Sequence, residues 1–124
     1  MIEIVVEGIG IDQANKTLVL LRDTEGTFHI PIWIGPAEAM SIQMELEAKK
    51  PARPMSHDLM SNILKICGVT LRQVVIHELR DTVYYARLAL VDENRNIEVD
   101  CRPSDAIALA VRLKAPILIK EWIV

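Results

Sequence analysis

The chain has 124 residues, of which 51% are apolar and only 4% aromatic, and a formal net charge of −3. That length suits one domain with a real core. The acidic balance argues against broad electrostatic attachment to nucleic acid, while leaving room for a local basic site. The two cysteines, Cys67 and Cys101, fit no metal-ligand spacing and read as buried thiols. No apolar run reaches the ~18 residues of a membrane span. The expectation is a cytoplasmic protein with no signal peptide and no membrane partner. A short chain this aliphatic is also expected to cover apolar surface by forming a homo-oligomer, a dimer or trimer.

Residues Ile2 to Ile11, rich in Ile and Val, predict a strand. Asp12 to Lys16 supplies turn chemistry, and Thr17 to Leu21 is its hairpin partner. After the Asp23-Thr24-Glu25-Gly26 turn, Phe28 to Ile34 is a third strand. Pro31 assigns it to an edge or a bulge, since proline cannot donate to the ladder. Gly35-Pro36 opens a helix to about Lys49, with proline at its first position. Lys50 to Pro54 is an extended linker. Ser56 is expected to cap a second helix that ends at Gly68, with Leu59, Ile63 and Ile66 on one face. Strands follow at about Thr70 to Arg80, Val83 to Val91 and Ile97 to Cys101. A helix from about Ser104 to Lys114 and a strand from Ala115 to Lys120 complete the chain. The order defines a single α+β domain, residues 1–124, with a mainly antiparallel mixed sheet and three helices. Ala106 to Val111 is apolar all round, so that helix must be covered on every side by sheet and helices or by a second subunit.

A two-residue loop at Asp81-Thr82 would pair Arg80 with Val83, Glu78 with Tyr85 and Ile76 with Arg87. A turn at Asp92 to Arg95 would pair Leu88 with Val99, Arg87 with Asp100 and Tyr85 with Arg102. One face then carries Val75, His77, Leu79, Ala86, Leu88 and Val99, and the other Glu78, Arg80, Arg87, Glu98, Asp100 and Arg102. The polar face reads either as solvated cross-strand ion pairs, worth about 0–1 kcal/mol each, or as a phosphate-processing site. In the second case Glu78 and Asp100 would hold Mg²⁺ or Mn²⁺, and Arg80, Arg87 or Arg102 would hold a phosphate.

Ser56-His57-Asp58 has helix-start chemistry, but His57 follows a proline-constrained loop containing Arg53 and is the candidate general base. His57 and Asp58 are accordingly the catalytic candidates, with Arg53 as a further phosphate contact. In Arg102-Pro103-Ser104-Asp105 either Ser104 caps the last helix, or Pro103 is its first residue with Asp105 bonding back to the free amides. Arg102 and Ser104 there are phosphate-binding candidates, because helix N-termini attract anions.

Four segments carry a resemblance: Pro31-Ile32-Trp33-Ile34-Gly35-Pro36-Ala37-Glu38-Ala39; Arg53-Pro54-Met55-Ser56-His57-Asp58-Leu59; Val75 to Asp81 with Tyr84-Tyr85-Ala86-Arg87-Leu88; and Val99 to Leu109. Their order and spacing resemble the bifunctional nuclease domain family over about residues 1 to 120. The resemblance implies an oligomer-forming α+β fold and nuclease activity on DNA and RNA. The expected function is therefore phosphodiester hydrolysis of DNA and RNA with a divalent metal. The alternative is a non-enzymatic oligomeric module that binds a small anion or a protein partner through the same helix N-termini.

Overall fold

A computed structural model describes all residues, 1–124. Strands β1 (Ile2–Ile11) and β2 (Thr17–Asp23) form a hairpin, closed by the Asp12 carboxylate accepting the Ala14 and Lys16 amides at 2.9 Å each. Strand β3 (His29–Trp33) pairs with β2 on the sheet edge, where Pro31 is tolerated. Helices α1 (Pro36–Leu46) and α2 (Ser56–Ile66) precede a second meander of β4 (Val69–Arg80), β5 (Val83–Asp92) and β6 (Arg95–Cys101). Helix α3 (Pro103–Leu113), strand β7 (Ile117–Ile119) and a terminal 3₁₀ turn (Glu121–Ile123) finish the chain. The seven strands run in the order β3-β2-β1-β7-β4-β5-β6. Three-residue β7 is antiparallel to β1 and parallel to β4, so it joins the two meanders into one mixed, mostly antiparallel sheet. No helix is long and apolar enough to cross a membrane.

The three helices cover one face of the sheet. Ile4, Val19, Leu21, Val74, Ile76, Ala86 and Leu88 from the strands close on Ile42 of α1 and on Ala106 to Ala110 of α3. Helix α3 lies against β4 and β5 and between α1 and α2, so this chain's own elements enclose its apolar run. A second subunit is not needed to cover it.

The structure corrects five expectations. The pairings Arg80 with Val83, Glu78 with Tyr85, Leu88 with Val99 and Arg87 with Asp100 are present. A β-bulge at His77, however, shifts the register, so that Ile76 faces Ala86 in the core and Val75 faces Arg87. Arg102 lies beyond β6 as the N-cap of α3, unpaired with Tyr85, and Pro103 is the first helical residue. Helix α2 is capped at Met55, not Ser56: Asp58 accepts the Met55 amide at 3.0 Å, so the cap needs no hydroxyl. That helix also turns His57, Ser61 and Leu64 inward and leaves Leu59, Ile63 and Ile66 exposed at 54%, 50% and 84%. Cys67, at the C-cap of α2, is exposed rather than buried, while Cys101 is partly buried.

Candidate active site

The first turns of all three helices meet at one place, and each carries an acid at its third position: Glu38, Asp58 and Asp105. Carboxylates there face the positive ends of the helix dipoles. Glu38 folds back over Gly35, where the carboxylate occupies the space a Cβ would need. The other two acids bond across helices. Asp105 Oδ1 lies 2.8 Å from Nε2 of His57, a histidine only 7% exposed, and His57 Nδ1 lies 2.7 Å from Ser41 Oγ on α1. Arg102 donates from Nε to Asp105 Oδ2 at 2.9 Å. Arg112, almost buried, donates to Asp58 Oδ1 at 2.8 Å, to the Ser41 carbonyl at 3.1 Å and to the Ala108 carbonyl at 3.0 Å, so one guanidinium ties together all three helices.

These contacts fix the charges. Burial pushes the Asp105 carboxyl upward, but hydrogen bonds from Arg102 and His57 outweigh it and hold the group below the usual carboxylate range. The Arg112 hydrogen bond holds Asp58 low against its desolvation. An ionised Asp105 only accepts, so His57 Nε2 carries the bridging proton. In the neutral ring Nδ1 is then the acceptor, and Ser41 donates its hydroxyl proton to it. Both ring nitrogens are occupied, and Ser41, His57 and Asp105 all line one cavity.

That cavity has a volume of ≈ 340 Å³ and is walled by Met40, Met44, Met55 and Met60, every methionine of the chain after Met1. Such side chains adapt to flat or irregular apolar ligands. Glu38 and Arg102, 3.9 Å apart, also border a larger open groove of ≈ 1170 Å³. The groove runs past Trp33, Tyr84, Lys16 and Ser104. Trp33 is half exposed and held by its indole N–H, which donates to Asp12 at 2.8 Å.

Of the residues expected from sequence, the structure joins His57, Arg102 and Asp58 around one cavity and places Ser104, buried, along the groove beside it. Asp58 partners Arg112 rather than the His57 ring. Arg53 is exposed two residues before Met55. Glu78, Arg80, Arg87 and Asp100 belong to the opposite side of the sheet from the helices. There Arg80 binds Glu78 at 3.2 Å and lies over the Tyr85 ring, and Arg87 lies 3.4 Å from Glu98. Glu78 and Asp100 are on strands flanking β5, opposite Tyr85 and Arg87 respectively, so two strand spacings across and two residues along set their Cα atoms about 12 Å apart. Nowhere do three or more His, Cys, Asp or Glu side chains converge into a metal-ligating group. The donors present do not fit a shared Mg²⁺ or Mn²⁺ ion.

Sequence reasoning missed Ser41 and Arg112 and read Asp105 only as a helix-start acid. A readable signal existed for two of them: Asp105 and Arg112, seven apart, are charges on one side of an otherwise apolar helix.

Fold and site together define an α+β domain whose three helix N-termini converge on a histidine-centred polar cluster. The bifunctional nuclease domain model matches residues 19–124, and the chain belongs to that family. An uncharacterised protein of Mycobacterium tuberculosis strain H37Rv is 39% identical over 120 residues, covering 96% of this chain and 71% of its own. Bifunctional nuclease 1 of Oryza sativa subsp. japonica is 28% identical over 116 residues, and Bifunctional nuclease 2 of Arabidopsis thaliana 26% over 114. This chain spans 35% of the length of each of these plant relatives.

Proposed function

We propose that this protein hydrolyses phosphodiester bonds of DNA and RNA where the three helices meet. The observation that carries the reading is the position of Arg102. Its guanidinium is mostly exposed, holds Asp105 of the His57 cluster and borders both the cavity and the groove. A strand lying along the groove, stacked on Trp33, would present a phosphate to Arg102 beside His57. Lys16 adds positive charge along the groove. In this reading His57 is the general base and Asp105 orients it. The names of the plant relatives support the substrate class.

The test is cleavage of single-stranded DNA and RNA in Mg²⁺, Mn²⁺ or EDTA. His57→Gln should lose about 10²–10⁴-fold, the size of a general-base contribution, while Glu78→Ala/Asp100→Ala should cleave as wild type. Undiminished cleavage by folded His57→Gln overturns the site. Loss in the double variant together with inhibition by EDTA restores a metal at Glu78 and Asp100.

A second reading, a non-enzymatic module binding an anion or a protein, is favoured by one observation. Both His57 nitrogens are already bonded, as they would be in a structural cross-link. Nucleotide-induced thermal shift without turnover would select it. In either reading we propose a homo-oligomer that buries the stripe Leu59, Ile63 and Ile66 against a second copy. The stripe is uncharged over about two helical turns and can meet its own copy across a two-fold axis.

A further inference from the structure

We infer that Ser41 is a nucleophile, and that the phosphodiester is cut through a covalent phosphoseryl enzyme. The inference rests on the hydrolytic reading above and assigns the attacking atom within it.

The chain Ser41 Oγ–His57 Nδ1–His57 Nε2–Asp105 Oδ1 has links of 2.7 and 2.8 Å, with Arg102 fixing the far carboxylate oxygen at 2.9 Å. A carboxylate at one end can only accept, so every donor in the neutral chain points away from Ser41 toward Asp105. The hydroxyl thereby gives its proton to a ring nitrogen whose other side is held by a carboxylate. That is the wiring of an activated serine, with the two imidazole nitrogens exchanged relative to the serine-protease arrangement. A water activated directly by His57 would have to displace Ser41 from Nδ1. Ser41 already occupies that place, and its residue lines the cavity. Arg112 holds the Ser41 carbonyl and Asp58 together, so the turn of α1 that carries the hydroxyl is anchored from behind.

The step balances without a co-reactant other than water. Ser41 Oγ bonds to phosphorus, its proton passes to His57 Nδ1, and the P–O bond to the departing sugar oxygen breaks as His57 returns the proton to that oxygen. Water then attacks phosphorus, gives a proton to His57 and releases Ser41, which recovers its own. The products are one phosphomonoester and one alcohol. Arg102 lies where it can face the phosphoryl oxygens. The methionine wall is apolar surface on which the base next to the cut can rest.

The test uses the whole chain and a fluorophosphonate, a phosphorus electrophile that labels activated hydroxyls. Intact mass and peptide mapping should show one adduct, on Ser41. It should be absent in Ser41→Ala and slower by about 10²–10⁴-fold in Asp105→Asn, which keeps the shape but removes the carboxylate. Wild-type protein that stays unlabelled, or an adduct that forms on Ser41 at the same rate in folded Asp105→Asn, overturns the inference. Oligonucleotide cleavage is read in parallel. Ser41 labelling without cleavage keeps the nucleophile and removes the nuclease reading. Cleavage undiminished in Ser41→Ala keeps the nuclease and removes the nucleophile.

Discussion

Replacing Arg112 with Met tests whether one guanidinium holds the helical layer together. The side chain is 8% exposed and makes three bonds to three helices, at 2.8, 3.1 and 3.0 Å. Methionine fills a similar volume, so the loss is electrostatic and hydrogen-bonding rather than a cavity. Removing one partner of a buried ion pair costs roughly 3–5 kcal/mol. Asp58 is a quarter exposed and keeps the Met55 amide, which lowers the expectation to about 2–3 kcal/mol. For a chain of this size that corresponds to a fall in Tm of about 10 °C. The assay is thermal and urea unfolding followed by circular dichroism. Adding Asp58→Asn to Arg112→Met removes the stranded charge while leaving an acceptor for Met55, and should recover about 1 kcal/mol. The pH dependence has a defined sign. Asp58 is held low in the folded protein, so the unfolded chain binds the proton more readily. The advantage of wild type over Arg112→Met is therefore full above about pH 4 and shrinks as pH falls through the folded value of Asp58. A loss below about 0.5 kcal/mol, or one unchanged on acidification, would refute the reasoning.

Trp33→Ala should weaken binding of a fluorescent single strand by about 1–3 kcal/mol, the value of one base stack, with its melting temperature nearly unchanged; anisotropy titration reads it. Ile63→Asp, on the exposed stripe of α2, should convert the sedimentation coefficient to that of a monomer without unfolding the chain, and an unchanged oligomer would remove α2 from the contact. Burial, with the charges of Asp105 and Asp100, pushes the Cys101 thiol up to about 11. At pH 8 its thiolate is then about one part in a thousand. Native protein should therefore release one equivalent of dye promptly from Ellman's reagent, at exposed Cys67, and a second only in denaturant.

Strands and turns were legible because β-branched runs and turn residues act locally. The end of the β4–β5 hairpin was legible for the same reason, its register following from Asp81 and Thr82, both at positive φ. The bulge at His77 was not, since no glycine marks it and only the packing of Ile76 onto Ala86 selects it. Helix α2 shows the deeper limit. Its apolar stripe implies that Leu59, Ile63 and Ile66 face the core, yet the buried side is the one whose histidine finds partners. Two bonds to His57 and one ion pair at Asp58 fix the rotation of this helix, and all three reach residues on other helices.

The same distinction separates the parts of the site that could be read from those that could not. His57 stood out because a histidine beside a helix start is chemically conspicuous alone. Ser41, 16 residues before it, and Asp105, 48 residues after it, are ordinary residue types whose meaning is entirely positional. Glu78 and Asp100 were conspicuous as charges on neighbouring strands, but the sheet sets them on either side of β5, where each meets a cation or solvent. Helix α3 settles which cluster has structural support. It is too apolar to hold charges on its sheet side, so Asp105 and Arg112 both emerge toward α1 and α2. His57 of α2 answers the first, and Asp58 of α2 with the Ser41 carbonyl of α1 answers the second.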